Sequence, residues 1–303
     1  MIVDIHCHLG NILYPAGGHA VMARLPMARP FDPDGLRRLF LYGFHGLDSI
    51  YSLPPVEWLM TRAERRRNFT ATLENLSRRL DRYGVAYAAA MPVAPNTAFD
   101  DVLPAAKADP RVLPFGSFDF TAPQLAGQGL RQLAQGARGF KLHPILQRVE
   151  ADGPLVMEAL SPLPDGTVIL VHAGRANYYP ACESALQTPE NGGIPAIERL
   201  CRAFPQLRFI AAHGGLRQFR EVLERLAPLP NTTVDTSFVS PEGIRTLIGA
   251  FGAHRVLFAS DWPYGFYRTG LNAVKAACRG DGKLLSQVLG ENAAELLGLP
   301  PSK

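Results

Sequence analysis

Val3-Asp4-Ile5-His6-Cys7-His8 reads as an extended strand with histidines two positions apart. Side chains alternate across an extended strand, so His6 and His8 share one face while Ile5 and Cys7 share the other. With Ile5 and Cys7 packed outward, both imidazoles point to the inside of whatever the strand helps to enclose. Two neutral imidazoles side by side suit a cation.

Beyond this first strand, at about 2 to 7, short apolar runs bounded by turn residues mark seven more. They lie at about 85 to 92, 112 to 118, 137 to 143, 167 to 173, 207 to 213, 232 to 237 and 255 to 260. Stretches of helical periodicity separate them, two with start signals. Thr121 with Gln124 resembles a capping box, and Ser240 followed by Pro241 places a cap before a first-turn proline. Eight strand and helix units without a phosphate-binding glycine fingerprint after the first strand predict an α/β fold, a (β/α)8 TIM barrel. Length alone would suggest domains of ~150 residues, but such barrels run to ~250 residues or more as one domain, so residues 1–303 are expected to form a single one.

Residues 11–61 break the rhythm between the first strand and its helix. A segment this long inside a compact domain is functional or disordered as a rule, and Tyr14, Tyr42, Phe44, Tyr51 and Trp58 favour an ordered cover over the barrel mouth. A substrate-facing lid is expected, with a purely structural cap as the alternative.

Composition narrows the function. Hydrophobic residues are 47% and charged residues 19% of the chain, the proportions of a folded globular protein. The net charge of +4 would need concentrating in a stripe to drive nucleic-acid binding. The one candidate, Arg62, Arg65, Arg66, Arg67, Arg78, Arg79 and Arg82, falls on the expected outer face of a helix whose apolar positions are Phe69, Leu73, Leu76, Leu80 and Tyr83. No nucleic-acid partner is therefore expected. The four cysteines, Cys7, Cys182, Cys201 and Cys278, form no C-x-x-C pair and fit a reducing cytoplasm. The first residues lack a basic leader with a sustained apolar run, and no ~18 apolar residues run together, so neither export nor a membrane partner is expected. A small-molecule substrate is, with a homodimer left open.

Of eight histidines, five fall within or just after predicted strands: His6, His8, His143, His172 and His213. Asp261 follows the last strand in Ala-Ser-Asp-Trp-Pro. In a β/α barrel all strand C-termini open on one face, where residues distant in sequence converge. His6, His8, His172 and Asp261 offer three nitrogens and one carboxylate oxygen, a set that suits one divalent ion, zinc first with iron or manganese as alternatives, and leaves room for water or substrate.

These blocks resemble the amidohydrolase superfamily, in its amidohydrolase-related branch that includes aminocarboxymuconate semialdehyde decarboxylase. The matching segments are Val-Asp-Ile-His-Cys-His, Gly-Phe-Lys-Leu-His-Pro, Val-His-Ala-Gly, Ala-His-Gly-Gly, Val-Asp-Thr-Ser and Ala-Ser-Asp-Trp-Pro, spanning residues 3 to 263. The resemblance implies His6, His8, His172 and Asp261 as metal ligands, and His213 as a second-metal ligand or a catalytic base beside the bound water. Binuclear members of the superfamily carry a carboxylated lysine on the fourth strand, and the decarboxylase-like branch is mononuclear. Lys141, in phase with His143 so that both face inward, is expected to orient a substrate carboxylate or to pair with Asp261, with carboxylation as the alternative. His143 is expected to line the site or to be a hydrogen-bonded core group, and Arg175 to clamp a substrate carboxylate or to make a surface salt bridge. Asp235 is a candidate acceptor behind a ligating or catalytic imidazole.

Two reactions fit. In hydrolysis, metal-activated water attacks an ester, lactone or amide, with Asp261 or His213 taking its proton. The alternative is non-oxidative decarboxylation of a small carboxylic acid. Hydrolysis is preferred because Lys141 and His143 depart from what the decarboxylases carry on the fourth strand. A non-catalytic metal-binding barrel, the third reading, fits poorly, because a structural zinc site is closed by four Cys or His ligands.

Overall fold

The computed structural model describes residues 1–24, 55, 58, 62 and 65–300. Among the described residues are nine parallel strands: β1 (Val3–Cys7), β2 (Tyr87–Ala90), β3 (Val112–Pro114), β4 (Gly116–Ser117), β5 (Phe140–Leu142), β6 (Val168–Val171), β7 (Arg208–Ala211), β8 (Thr232–Asp235) and β9 (Val256–Leu257). They pair in the order β1-β2-β3 and β4-β5-β6-β7-β8-β9. The third expected strand, 112 to 118, is split at Phe115, whose N–H donates to Ala90 O at 3.1 Å while the next residue, Gly116, donates to Gly139 O at 2.8 Å. One residue thus hands the chain from one neighbour to the other and joins the two sheets. At the other seam Ile5 N–H donates to Phe258 O, Asp261 N–H to His6 O and His8 N–H to Trp262 O. The ladder returns to its first strand, and the fold is the expected α/β TIM barrel.

Strands buried on both faces read as continuous apolar runs, as Val168 to Val171 does. Their alternation separates two layers. Ala89, Met91, Leu113, Phe115, Leu170, Ile210 and Leu257 belong to a cluster inside the barrel, and Ala293 and Leu297 close it at the N-terminal end of the strands. Ala88, Ala90, Phe140, Ile169, Val171, Phe209 and Val256 join the larger core under the helices. β1 departs from strict alternation. Its register against β2 shifts between Asp4 and Cys7, so Ile5 joins Val3 in the inner cluster and only Cys7 packs outward. The expectation that Ile5 faces the helices is corrected, because the extra residue of a bulge re-aims the side chains around it. His6 and His8 still both face in.

The helix Leu73–Tyr83 starts at Thr72, whose Oγ1 accepts Asn75 N–H at 3.3 Å, and stops at Gly84 in the left-handed region. A turn at Thr70 precedes it, so the seven arginines do not share one helical face. Arg67 is 5% exposed and donates to Tyr264 O, whereas Phe69, expected on the apolar stripe, is 62% exposed. Ser240 caps its helix as expected, accepting Gly243 N–H at 3.0 Å. The Thr121 box does not form: Thr121 turns back to Asp119, and Gln124 takes the cap position at φ 63°.

Of the expected cover, residues 25–54 lie outside the described residues, and with them Tyr42, Phe44 and Tyr51. Its described start is fastened to the loop after β6. Tyr14 Oη donates to Glu183, which also takes Arg65, and Tyr179 Oη donates to Leu13 O. Among the described residues no helix is long and apolar enough to cross a membrane.

Candidate metal centre

Each sequence-expected imidazole sits at the C-terminal end of a strand, but not by one mechanism. His6 and His8 come from β1 itself. His172 follows β6 in phase with Leu170 of the inner layer. His213 follows β7 out of phase, since Ala211 faces the helices and Ala212 the interior. A run of positive φ at His213, Gly214, Gly215 and Leu216 turns the chain and sets the His213 ring 5.0 Å from the His6 ring. Gly215 is required there, because a Cβ would lie 2.4 Å from a Val222 methyl. Asp261 is likewise left-handed, at φ 50°.

Hydrogen-bond partners settle which ring nitrogens carry protons. His6 Nδ1 donates to Asp235 Oδ2 at 2.8 Å, and His8 Nδ1 donates to Met91 O at 2.7 Å. Carbonyl and carboxylate oxygens only accept, so both Nε2 atoms present lone pairs. These lie 3.2 Å apart, at 3.4 and 3.2 Å from Asp261 Oδ1, a buried carboxylate oxygen with no hydrogen-bond donor. Three electron-rich atoms facing one another inside the protein are repulsive unless positive charge lies among them; Lys141 Nζ, 3.0 Å from His6 Nε2, supplies part of it, and Asp261 Oδ1 still has no donor. A divalent ion with nitrogen and oxygen ligands fits this set.

His172 stands apart from that triad. Its Nε2 donates to Gly174 O at 3.0 Å, leaving a lone pair on Nδ1 that faces His213 Nε2 at 3.2 Å. His213 Nε2 is also unprotonated, because Ser237 Oγ donates to Asp235 Oδ1 at 2.5 Å and therefore accepts from His213 Nδ1 at 2.8 Å. Asp235 Oδ1 further accepts the His213 backbone N–H at 2.8 Å. One carboxylate thus supports both His6 and His213, which is the role expected of Asp235. A second group whose ligand atoms converge is His6, His213 and Asp235.

Lys141 and His143 both face in, buried as expected. Lys141 Nζ lies 3.0 Å from His6 Nε2, and His143 stacks on His172 with ring centres 4.2 Å apart. Arg175 makes the surface salt bridge that was the alternative for it: its side chain is 54% exposed and paired with Glu190 at 2.9 Å. Ser237 and Tyr178 were not singled out in the sequence, although Ser237 belongs to the Val-Asp-Thr-Ser block. Tyr178 Oη lies 3.4 Å from the His172 ring nitrogens, and its ring meets His143 edge to face. A tyrosine pair just after Val-His-Ala-Gly was the available signal.

Burial dominates the electrostatics. Desolvation, reinforced by Lys141 or neighbouring imidazoles, holds His6, His143, His172 and His213 well below the ordinary histidine range. Burial also lowers Lys141 to about 8, against the attraction of Asp261 and Asp235, and raises Asp235 to about 6 against its hydrogen bonds from Ser237 and His213. At neutral pH His6, His143, His172 and His213 are therefore neutral imidazoles.

The family model described as Amidohydrolase matches residues 3–299. No curated protein sequence matches the chain. Solved structures that superpose on it include a 5-carboxyvanillate decarboxylase from Novosphingobium aromaticivorans in complex with manganese and 4-hydroxy-3-methoxy-5-nitrobenzoic acid (15% identity, 99% of this chain and 96% of that one, TM-score 0.67). A second is a "probable 2-pyrone-4,6-dicarboxylic acid hydrolase" from Acinetobacter baumannii with citric acid bound (14% identity, 98% and 99% covered, TM-score 0.59). A third is an uncharacterised TIM-barrel protein from Bordetella bronchiseptica (18% identity, 98% of each chain, TM-score 0.64). At these identities the likeness is one of fold.

Proposed function

Since the chain belongs to the amidohydrolase family, we propose that it hydrolyses a small, carboxylate-bearing ester, lactone or amide at a centre where His6, His8 and Asp261 hold one divalent ion. His172 is the proposed fourth donor, through its unprotonated Nδ1. The observation that carries this reading is the convergence of two imidazole lone pairs on the orphaned Asp261 Oδ1. A divalent ion bound there, zinc first with iron or manganese as alternatives, would supply Lewis acidity toward water and a substrate carbonyl.

The chain's own groups do the rest. His213 Nε2 takes the proton of the attacking water, as a ring that burial keeps neutral and that Ser237 and Asp235 hold by its other nitrogen. Asp235 couples the orientation of His213 to that of His6. Lys141 supplies positive charge at the floor of the site, and His143 and Tyr178 line its wall beside His172.

The test is a panel of lactones, esters, amides and aromatic carboxylates offered to the zinc- or manganese-loaded protein, with acid release and CO2 followed separately. Acid without CO2 supports the reading. CO2 from a carboxylate would establish decarboxylation instead, and turnover of nothing with either metal would leave the reading without its main support.

A further inference from the structure

We propose that Asp4 is a positioning residue for the metal centre: through Ser260 it clamps the loop that presents Asp261, so that the ligand set is formed before an ion arrives. The inference rests on the reading of His6, His8 and Asp261 as ligands. Asp261 is hard to hold. Its backbone occupies the left-handed region that residues with a Cβ rarely adopt, and its Oδ1 faces two imidazole lone pairs. Neither the imidazole lone pairs nor its own backbone conformation holds Asp261 in this position, so an anchor outside the triad is needed.

The anchor is visible on both sides of the residue. Asp4 Oδ1 accepts the Ser260 N–H at 2.9 Å, and Asp4 Oδ2 accepts the Ser260 hydroxyl at 2.6 Å. That hydroxyl oxygen in turn accepts the Trp262 N–H at 3.0 Å. The residues before and after Asp261 are thereby tied to one fully buried carboxylate. Asp4 Oδ1 also accepts the His6 N–H at 3.2 Å, at the bulge that turns His6 inward, and the Asp261 N–H donates to His6 O at 2.8 Å. The loop closes tightly behind, where a Cβ at Gly265 would lie 1.7 Å from Ser260 O. The hydrogen bonds from Ser260 and His6 to Asp4 come from the two segments that carry ligands, and the buried Tyr267 hydroxyl of the following helix also faces this carboxylate. A buried carboxylate is costly unless its partners fulfil it, and partners chosen in this way mark a role in arranging the site.

The test uses the full chain, stripped of metal and titrated with zinc against a chromophoric chelator, alongside thermal melting of the metal-free protein. Ser260→Ala should weaken zinc binding by about 10- to 100-fold, the usual worth of a group that orients a ligand, while the metal-free protein still folds with a lowered melting temperature because Asp4 Oδ2 loses its donor. Ser260→Thr, which keeps the hydroxyl, should restore affinity to within about threefold of the parent. Asp4→Asn should weaken zinc at least as much as Ser260→Ala, and the double variant should be no worse than the poorer single one, because both act through one network. Should Asp4→Asn fail to fold, the Ser260 pair carries the test alone. A folded Ser260→Ala that binds zinc as the parent does overturns the inference and leaves the metal reading intact. A parent that binds no zinc overturns both.

Discussion

Asp235 and His6 lie 229 positions apart in the chain, yet Oδ2 of the carboxylate takes the Nδ1–H of the imidazole at 2.8 Å, while Oδ1 takes the backbone N–H of His213. The proton on His6 is thereby placed away from the cavity and its lone pair toward it. Because the same carboxylate holds Ser237, the tautomer of His213 is set from the same place.

Replacing Asp235 by Asn should therefore damage two functions together. The amide can turn an N–H toward His6 Nδ1 and reverse its tautomer. Metal affinity is expected to fall by about 10- to 100-fold, with a further loss of turnover at saturating metal. Affinity and turnover both within twofold of the parent would show that the carboxylate is a core group only.

His213→Asn separates proton transfer from ligation. The variant should keep the fold and most of the metal, while kcat on whichever substrate the panel identifies drops by ~100-fold or more, the usual worth of a positioned base. Near-normal turnover would sink the assignment, and loss of most of the metal would make His213 a ligand.

Lys141 decides nuclearity. With its Nζ 3.0 Å from His6 Nε2, an ammonium there would repel a second cation, whereas a carboxylated lysine would be an anionic bridge to one. One equivalent of metal is expected in the parent and in Lys141→Ala, with a raised KM for carboxylate substrates in the variant. Two equivalents in the parent that fall sharply on substitution would require the binuclear alternative.

Acid stability should carry the signature of Asp109. Its carboxylate receives the Arg111 guanidinium at 2.9 and 2.8 Å and the Ser77 hydroxyl at 2.7 Å, and the Arg111 hydrogen bonds hold it down at about 2 from an ordinary 3.8. A depressed folded pKa stabilises above the unfolded value and loses that contribution as the pH falls through the folded one. The pair should contribute about 1–2 kcal/mol at neutral pH, after allowance for the partly exposed arginine, fading between pH ~4 and ~2. Urea midpoints of Asp109→Asn and the parent should differ at pH 7 and converge near pH 2; a constant gap would contradict the pairing.

Much of this site is legible in the sequence because strands impose a local rule. Alternation alone puts His6 beside His8 and Lys141 in phase with His143, and the shared exit of parallel strands gathers His172, His213 and Asp261 at one end of the barrel. Where that rule failed, the cause was backbone geometry that neighbours in space select. The bulge in β1 put Ile5 inside, the left-handed turn through Gly214 and Gly215 rescued an out-of-phase His213, and a break before Thr72 scattered the arginines. Arg175 pairs at the surface, where Glu190 reaches it from the same loop. Ring tautomers, and the supports at Met91, Gly174, Ser237 and Asp4, became visible only in the tertiary structure. A strand specifies which way its side chains point within a few residues. Which nitrogen carries the proton depends on acceptors brought close by pairing between strands far apart in the chain, and local periodicity does not encode that.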